Sequence, residues 1–247
     1  MTSKPIVLVL AGNSGLGLSV VSTLLESKKW TVVATYRRDG SSLFDIFRQH
    51  VDNPEQLIQK VDLTDSDSLY SVFQSVAKIG KIWGVVNCCG VATAKTLKNL
   101  SFNEVETSIM SNLLPAVYAT KCALSVMSEQ SGFGGRIVHL SSVLVRRPVL
   151  GVVPYVMSKA AIEGLVKSSA VELGRYKITI NALRLGYFDR GMATRDVPDE
   201  ILENVSKQTA VRDLGHPENL NGAINYLLSI EASFHTGSVV DLDGGLV

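Results

Sequence analysis

Tyr155 and Lys159 stand four residues apart, so on a helix they share one face. Thirteen residues before the tyrosine lies Ser142, at the end of the apolar run Gly135-Arg-Ile-Val-His-Leu-Ser-Ser. These residue types suit proton delivery to a carbonyl oxygen as negative charge builds on it. A tyrosine at its reference pKa of about 10 is a poor base at neutral pH, and an ammonium beside it favours phenolate and draws that pKa down. A serine hydroxyl on the neighbouring strand end can hold the same oxygen. A Tyr-x-x-x-Lys pair alone could be an amphipathic surface pair; Ser142 and a glycine turn near the N-terminus argue for a site.

That turn reads Ala11-Gly12-Asn13-Ser14-Gly15-Leu16-Gly17 and follows the apolar run Ile6–Ala11. Strand, glycine turn and helix start form the context of a dinucleotide site. Backbone comes close to a pyrophosphate there, and the helix N-terminus supplies N–H donors and partial positive charge. The next strand ends Ala34-Thr35-Tyr36-Arg37-Arg38, with no acid before Asp39. A carboxylate at this point would hold a ribose 2′-hydroxyl, whereas a guanidinium fork suits a 2′-phosphate. The expectation is therefore NADP(H), against the alternative of two solvated arginines at a strand end.

The elements that position these groups alternate. Strands are predicted at Ile6–Ala11, Thr31–Tyr36, Gln56–Asp62, Ile82–Asn87, Arg136–Ser141, Ile178–Leu183 and Ser238–Leu242. Helices are predicted at Leu16–Ser27, Asp65–Ile79, Asn103–Glu129, Pro154–Gly174 and Pro217–Ser229. Continuous apolar strands separated by amphipathic helices predict one α/β domain over 1–247. It should be a Rossmann-type doubly wound parallel sheet of about seven strands with helices on both faces. The segment from Gly186 to Val211 has the least regular pattern, and is either a lid over the site or a surface excursion.

Composition narrows the classes. The formal net charge is +1, which gives no global pull toward nucleic acid or anionic membrane. No apolar stretch reaches the ~20 residues of a membrane span. Three cysteines (Cys88, Cys89, Cys122) offer no disulfide framework and no metal spacing, so a reducing, cytoplasmic setting is expected. His50, His139, His216 and His235 are scattered, and no metal site is expected.

The chain resembles the short-chain dehydrogenase/reductase family over its whole length. The family's phosphate loop runs Thr-Gly-x-x-x-Gly-x-Gly. Here either Gly12 is the first glycine of a shortened loop, or Ala11 stands in that place at full length; Gly15 and Gly17 match under both. The resemblance implies a catalytic set of Ser142, Tyr155, Lys159 and Asn112, the last helping to hold a water that links the lysine to solvent. It implies cofactor contacts from Asp62 and Leu63 to the adenine, and from Asn87-Cys88-Cys89-Gly90 along the adenine ribose. Gly186 and Phe188 match the turn that holds the nicotinamide carboxamide, with Leu185 for the usual proline and Arg190 for the usual threonine, where it could pair with a phosphate.

The nearest branch in appearance is the 3-oxoacyl-(acyl-carrier-protein) reductases, which implies a carrier-bound ketone, an acyl carrier protein as partner and a homo-oligomer, expected to be a tetramer. Arg175 and Lys177 match one basic docking place; Ser128-Glu129-Gln130 occupies another that is usually basic. The stretch Val143–Pro154 is mostly aliphatic and suits an acyl chain or a ring-bearing ketone, so a free cyclic or steroid-like ketone is the alternative substrate. Arg146 and Arg147 within it either meet an anionic substrate or carrier, or point to solvent. A non-catalytic cofactor-binding regulator would normally show a replaced Tyr or Lys, and neither is replaced.

Overall fold

The structure, a computed structural model, describes residues 4–130 and 134–246. Seven strands form one parallel sheet in the order β3-β2-β1-β4-β5-β6-β7. They are β1 (Ile6–Leu10), β2 (Thr31–Tyr36), β3 (Ile58–Lys60), β4 (Ile82–Asn87), β5 (Gly135–Ser142), β6 (Ile178–Leu185) and β7 (Val239–Leu242). Every residue of β1 and β5 is buried, as strands covered on both faces must be.

Eight helices cover the sheet: α1 (Gly15–Ser27), α2 (Ser41–Arg48), α3 (Ser66–Ile79), α4 (Phe102–Met127), α5 (Val153–Leu173), α6 (Met192–Asp196), α7 (Asp199–Gln208) and α8 (Pro217–Leu228) among the described residues. Two cores result. One packs Phe73 of α3, Ala119 of α4 and Val166 of α5 against Leu8, Val85 and Ile137. The other packs Val21 of α1, Phe47 of α2 and Ile224 of α8 against Val9, Val86 and Val138.

The predicted doubly wound architecture is the one observed, with two differences of detail. The strand expected over Gln56–Asp62 shrinks to three residues, because Pro54–Gln56 forms a 3-10 turn and β3 pairs only with β2. Helices α2, α6 and α7 were not among the five predicted, although in α2 Leu43 and Phe47, both buried, stand at i and i+4.

The chain runs outward from β1 to β3, then crosses to β4 on the other side of β1. Beyond the carboxyl ends of β1 and β4 the two halves diverge and leave a crevice, the usual ligand position in open α/β sheets. The Gly12–Gly17 turn, Asn87, Ser142 and Gly186 all sit at carboxyl ends of strands, which brings them to one edge of the sheet.

Candidate active site

Tyr155 enters from the first turn of α5, started by Pro154, whose missing N–H costs nothing at that position. It and Lys159 lie on the buried face of the helix, 6% and 2% exposed, and Ser142 ends β5 alongside. Burial pushes the Tyr155 phenol up to about 12, and a hydrogen bond with the Ser142 hydroxyl offsets only part of this. The phenol therefore carries its proton at neutral pH.

Burial sets the net direction of the Tyr155 shift, against the downward pull expected from Lys159. Its Nζ lies 5.7 Å from the tyrosine ring centroid and donates to the carbonyl oxygens of Leu140 (2.8 Å) and Cys89 (3.0 Å). Burial lowers the ammonium itself to about 8. Desolvation of the phenol outweighs the attraction of this cation, two of whose three donors go to backbone oxygens.

Asn112 is fully buried in α4 and makes a two-way bond to the chain beyond β4. Its Oδ1 accepts from Val91 N at 2.8 Å, and its Nδ2 donates to Val91 O (3.0 Å) and Ser108 O (2.8 Å). Asn87 caps the same segment by accepting from Cys89 N at 3.1 Å. The Asn87 amide also meets His139 Nδ1 at 3.2 Å, and His139 Nε2 meets Thr120 Oγ1 at 2.9 Å. Because Thr120 donates to Ala116 O and the Asn87 amide is a donor, the imidazole is neutral with its proton on Nε2. Burial holds it at about 3. Burial likewise raises the Cys88 and Cys89 thiols, Cys88 to about 12, which suits packing and not redox chemistry.

Ala11 stands in the left-handed region, at φ 56°, and its N–H donates to Thr35 Oγ1 at 3.0 Å. Gly12 faces inward, where a Cβ would meet Val21 at 2.9 Å and Ala34 at 3.3 Å. Gly17 permits the close return of the turn, since a Cβ there would lie 2.4 Å from Ala11 O. Ser14 caps α1 with extended backbone and no side-chain bond, and the first turn holds no acid. The N–H groups at that end are free for an anion.

A cleft of about 850 Å3 joins these parts. Ala11, Asn13, Ser14, Gly15, Leu16 and Gly17 line its phosphate end. Arg37, Arg38, Asp62 and Leu63 line one flank, and Gly90, Ser142, Tyr155, Lys159, Gly186 and Phe188 the other. Gly12, Asn87 and Asn112 stand behind this lining and shape it. Asp39, the next residue in the chain, accepts from the N–H of Ser41 at 2.9 Å. Arg37 and Arg38 form no ion pair among the described residues.

The segment after β6 contributes to the lining of the cleft. Phe188 bridges Gly215 through its neighbours' groups, with Gly215 N donating to Tyr187 O and Asp189 N to Gly215 O. In a parallel bridge this leaves the N–H and C=O of Phe188 itself directed to the other side. Further on, Gly191 reaches Gly15, and Met192 stands beside Gly90. Arg190 and Arg195 join the lining.

The chain as a whole is matched by known proteins. A family profile described as enoyl-(acyl carrier protein) reductase matches residues 10–247. The chain belongs to the short-chain dehydrogenase/reductase family. Relatives within it include an acetoacetyl-CoA reductase of Synechocystis, 28% identical over 241 residues (97% of this chain, 95% of that one). The 3-oxoacyl-(acyl-carrier-protein) reductase FabG of Thermotoga maritima is 30% identical over 250 residues (97% and 96%). A short-chain dehydrogenase/reductase structure from Serratia marcescens superposes with a TM-score of 0.87 at 27% identity, covering 99% of this chain and 98% of that one.

As a short-chain dehydrogenase/reductase the chain carries one set of groups that motif reading missed. Glu163 lies on α5 four residues past Lys159, on the same buried face, and its partner Arg184 comes from β6. An acid at a buried helix position signals that a cation must meet it. Arg195 gave no such signal, because its place in the cleft depends on how the segment after β6 folds back.

Proposed function

We propose that this enzyme reduces a ketone to a secondary alcohol with NADPH, and that the ketone is a 3-oxoacyl thioester. The observation that carries this reading is the convergence of Ser142, a protonated Tyr155 and Lys159 in the cleft that also holds the glycine turn and the Arg37–Arg38 pair.

The residues fit the cofactor. Gly15 and Gly17 leave bare backbone at an uncapped helix N-terminus, which would receive the pyrophosphate. Two guanidinium groups that form no ion pair among the described residues would receive the 2′-phosphate. Asp62 and Leu63 would border the adenine, and the backbone of Phe188 would meet the carboxamide. When bound, the nicotinamide supplies the hydride.

The chain supplies the rest. The Ser142 hydroxyl, tied to the Tyr155 phenol, donates to the ketone oxygen and sets its position. The phenol then gives up its proton as alkoxide charge grows, a step that general acids typically speed by about 10²–10⁴-fold. The buried Lys159 ammonium favours the phenolate left behind through its charge, while its two backbone bonds keep it in place. Arg190 and Arg195 close the phosphate end from the lid.

The relatives that act on acetoacetyl-CoA and on 3-oxoacyl groups held by a carrier protein support the substrate class. Arg175 and Lys177 are exposed and offer a docking place for an acidic carrier. The test is a screen of NADPH oxidation against 3-oxoacyl thioesters and free cyclic ketones. Preference for the thioesters is expected; turnover of the cyclic ketones alone would replace the substrate assignment.

A further inference from the structure

Three polar residues of α5 form one inward stripe. Tyr155, Lys159 and Glu163 follow at intervals of four, and all three are buried. Lys159 Nζ donates to Leu140 O of β5 at 2.8 Å. One turn further along α5, Ser141 Oγ of β5 donates to the Glu163 carboxylate at 2.7 Å. Helix and strand are joined at these two polar points, on successive residues of β5.

Glu163 is also held from a second direction. Arg184 forks onto its carboxylate, with Nε donating at 2.9 Å and Nη2 at 2.7 Å. Ser141, Arg184 and Asp241 are direct neighbours in one row across β5, β6 and β7. Asp241 accepts from Arg184 Nη1 at 2.6 Å and, through its other oxygen, from Arg146 Nη1 at 2.8 Å. Two cations and two anions balance in this charge chain, which runs from the exposed Arg146 to the buried Glu163.

Hydrophobic patterning does not set the rotation of α5 unaided. Its inward face carries Tyr155, Ser158, Lys159 and Glu163, while Val153, Met157 and Val171 lie exposed. Apolar residues are spread almost evenly round the helix, so apolar burial selects the inward face only weakly. Burial is also non-directional and tolerates a helix that slides or turns. A fork between guanidinium and carboxylate tolerates neither, because its two parallel bonds require one plane and one distance. A buried ion pair adds little net stability over an apolar pair of similar volume, so its distinctive effect here is on geometry.

We propose that Glu163 is a positioning residue for carbonyl reduction: clamped by Arg184 and Ser141, it fixes the rotation and axial register of α5 against β5, and so holds Tyr155 and Lys159 beside Ser142. The role rests on the reductase reading above. Glu163 does not line the cleft, and it acts only through where the phenol is placed. A misplacement of about 1 Å caused far from the chemistry costs up to about a hundredfold in rate.

The test removes both charges and keeps the volume, in the double variant Glu163→Met with Arg184→Met. Its ketones are acetoacetyl-CoA and cyclohexanone. With NADPH, kcat should fall about ten- to a hundredfold, while KM for the ketone and Kd for NADPH stay within about threefold. The urea midpoint should hold or rise. Ile224→Ala, in the core on the other side of the sheet, should lower that midpoint and leave kcat within about twofold. Glu163→Gln keeps an oxygen at the same reach and should lose only about three- to tenfold in kcat. It decides alone if the double variant does not fold. An unchanged kcat in the clamp variants, a loss confined to KM, or a kcat that follows the urea midpoint in all the variants overturns the proposal. Should the wild type reduce neither ketone, the reductase reading fails, and crystal structures judge the clamp by itself. A Lys159–Leu140 bond present in the wild type and lost in the clamp variant supports it; a bond kept in both, or missing from the wild type, overturns it.

Discussion

Asn112 holds Val91 by both of its backbone groups, accepting from its N–H at 2.8 Å and donating to its carbonyl at 3.0 Å. A side-chain amide has the same donor and acceptor spacing as a peptide, so α4 adds one rung of pairing to the chain just past Gly90. Lys159 grips the same segment from the other side at Cys89 O. Asn112→Leu should lower stability by about 1–3 kcal/mol, two net hydrogen bonds' worth, and cut kcat/KM for reduction at least tenfold. Urea unfolding and initial rates measure the two effects. An unchanged kcat/KM in a destabilised variant would leave Asn112 a purely structural residue.

Tyr155→Phe should abolish reduction while leaving NADPH binding nearly intact. The ring and its packing stay, and only the transferable proton goes. Because burial keeps that proton in place to about 12, no nearby hydroxyl is expected to substitute fully for it. The loss should be on the order of 10²–10⁴ in kcat. Retention of more than half of the wild-type kcat would show that Tyr155 is not the acid.

How far the site could be read from sequence depended on whether its parts were contiguous. Tyr155 and Lys159 share a helix face by spacing alone, and the strand runs into the glycine turn without a break. The Ala11 question was not legible. Glycine and alanine could each open the turn on paper, and only the backbone path decides that Ala11 takes φ 56° while Gly12 fits between Val21 and Ala34. The Tyr155 pKa also escaped, because it depends on burial and on where Lys159 points. The charge chain through Ser141, Arg146, Glu163, Arg184 and Asp241 draws on five separated segments, which no local pattern connects.

His139 makes the fold sensitive to acid. Its folded pKa of about 3 lies below the ordinary histidine value of 6.5, because the ring is fully buried and the Lys159 ammonium repels a second positive charge. The unfolded chain therefore binds a proton that the folded chain refuses. The contribution is fully present above pH ~6.5 and is lost progressively as pH falls toward 3, at roughly 1.4 kcal/mol per pH unit at its steepest. Urea unfolding at pH 7, 6, 5 and 4 should show this slope, and His139→Asn should flatten it. Parallel slopes for the two proteins would remove His139 as the cause.

The outer faces of α4 and α5 carry more apolar surface than a lone chain needs. Phe102 is 87% exposed and Val171 84%, with Met110, Val153 and Met157 also exposed. Patches of this kind mark interfaces, and self-complementary ones close as symmetric dimers or tetramers. A tetramer is expected in solution. Light scattering that finds a stable monomer of 26.6 kDa at micromolar concentration would count against it.

The choice of cofactor turns on Arg37 and Arg38. NADPH and NADH differ only in the 2′-phosphate, and these are the cations beside β2 where the ribose must lie. Both line the cleft, and Asp39, which follows them in the chain, accepts from the N–H of Ser41. Arg37 also lies close enough to Asp62 to stabilise its carboxylate, which places Arg37 on the adenine flank of the cleft. Charge-assisted hydrogen bonds contribute roughly 1.5–3 kcal/mol each, about ten- to a hundredfold for one, so replacing both arginines with Ala should reduce the preference for NADPH by at least about that much. The effect should fall on KM for NADPH and leave KM for NADH nearly unchanged. Arg37→Ala alone should account for the larger share, since Arg37 directly follows Tyr36 at the strand end. Salt should mimic the double variant in part, because it screens an exposed phosphate–guanidinium pair. Measuring kcat/KM for both cofactors in wild type and variant decides the matter: if the ratio does not move, these arginines do not touch the phosphate, and a carboxylate-independent NADH enzyme becomes the better description.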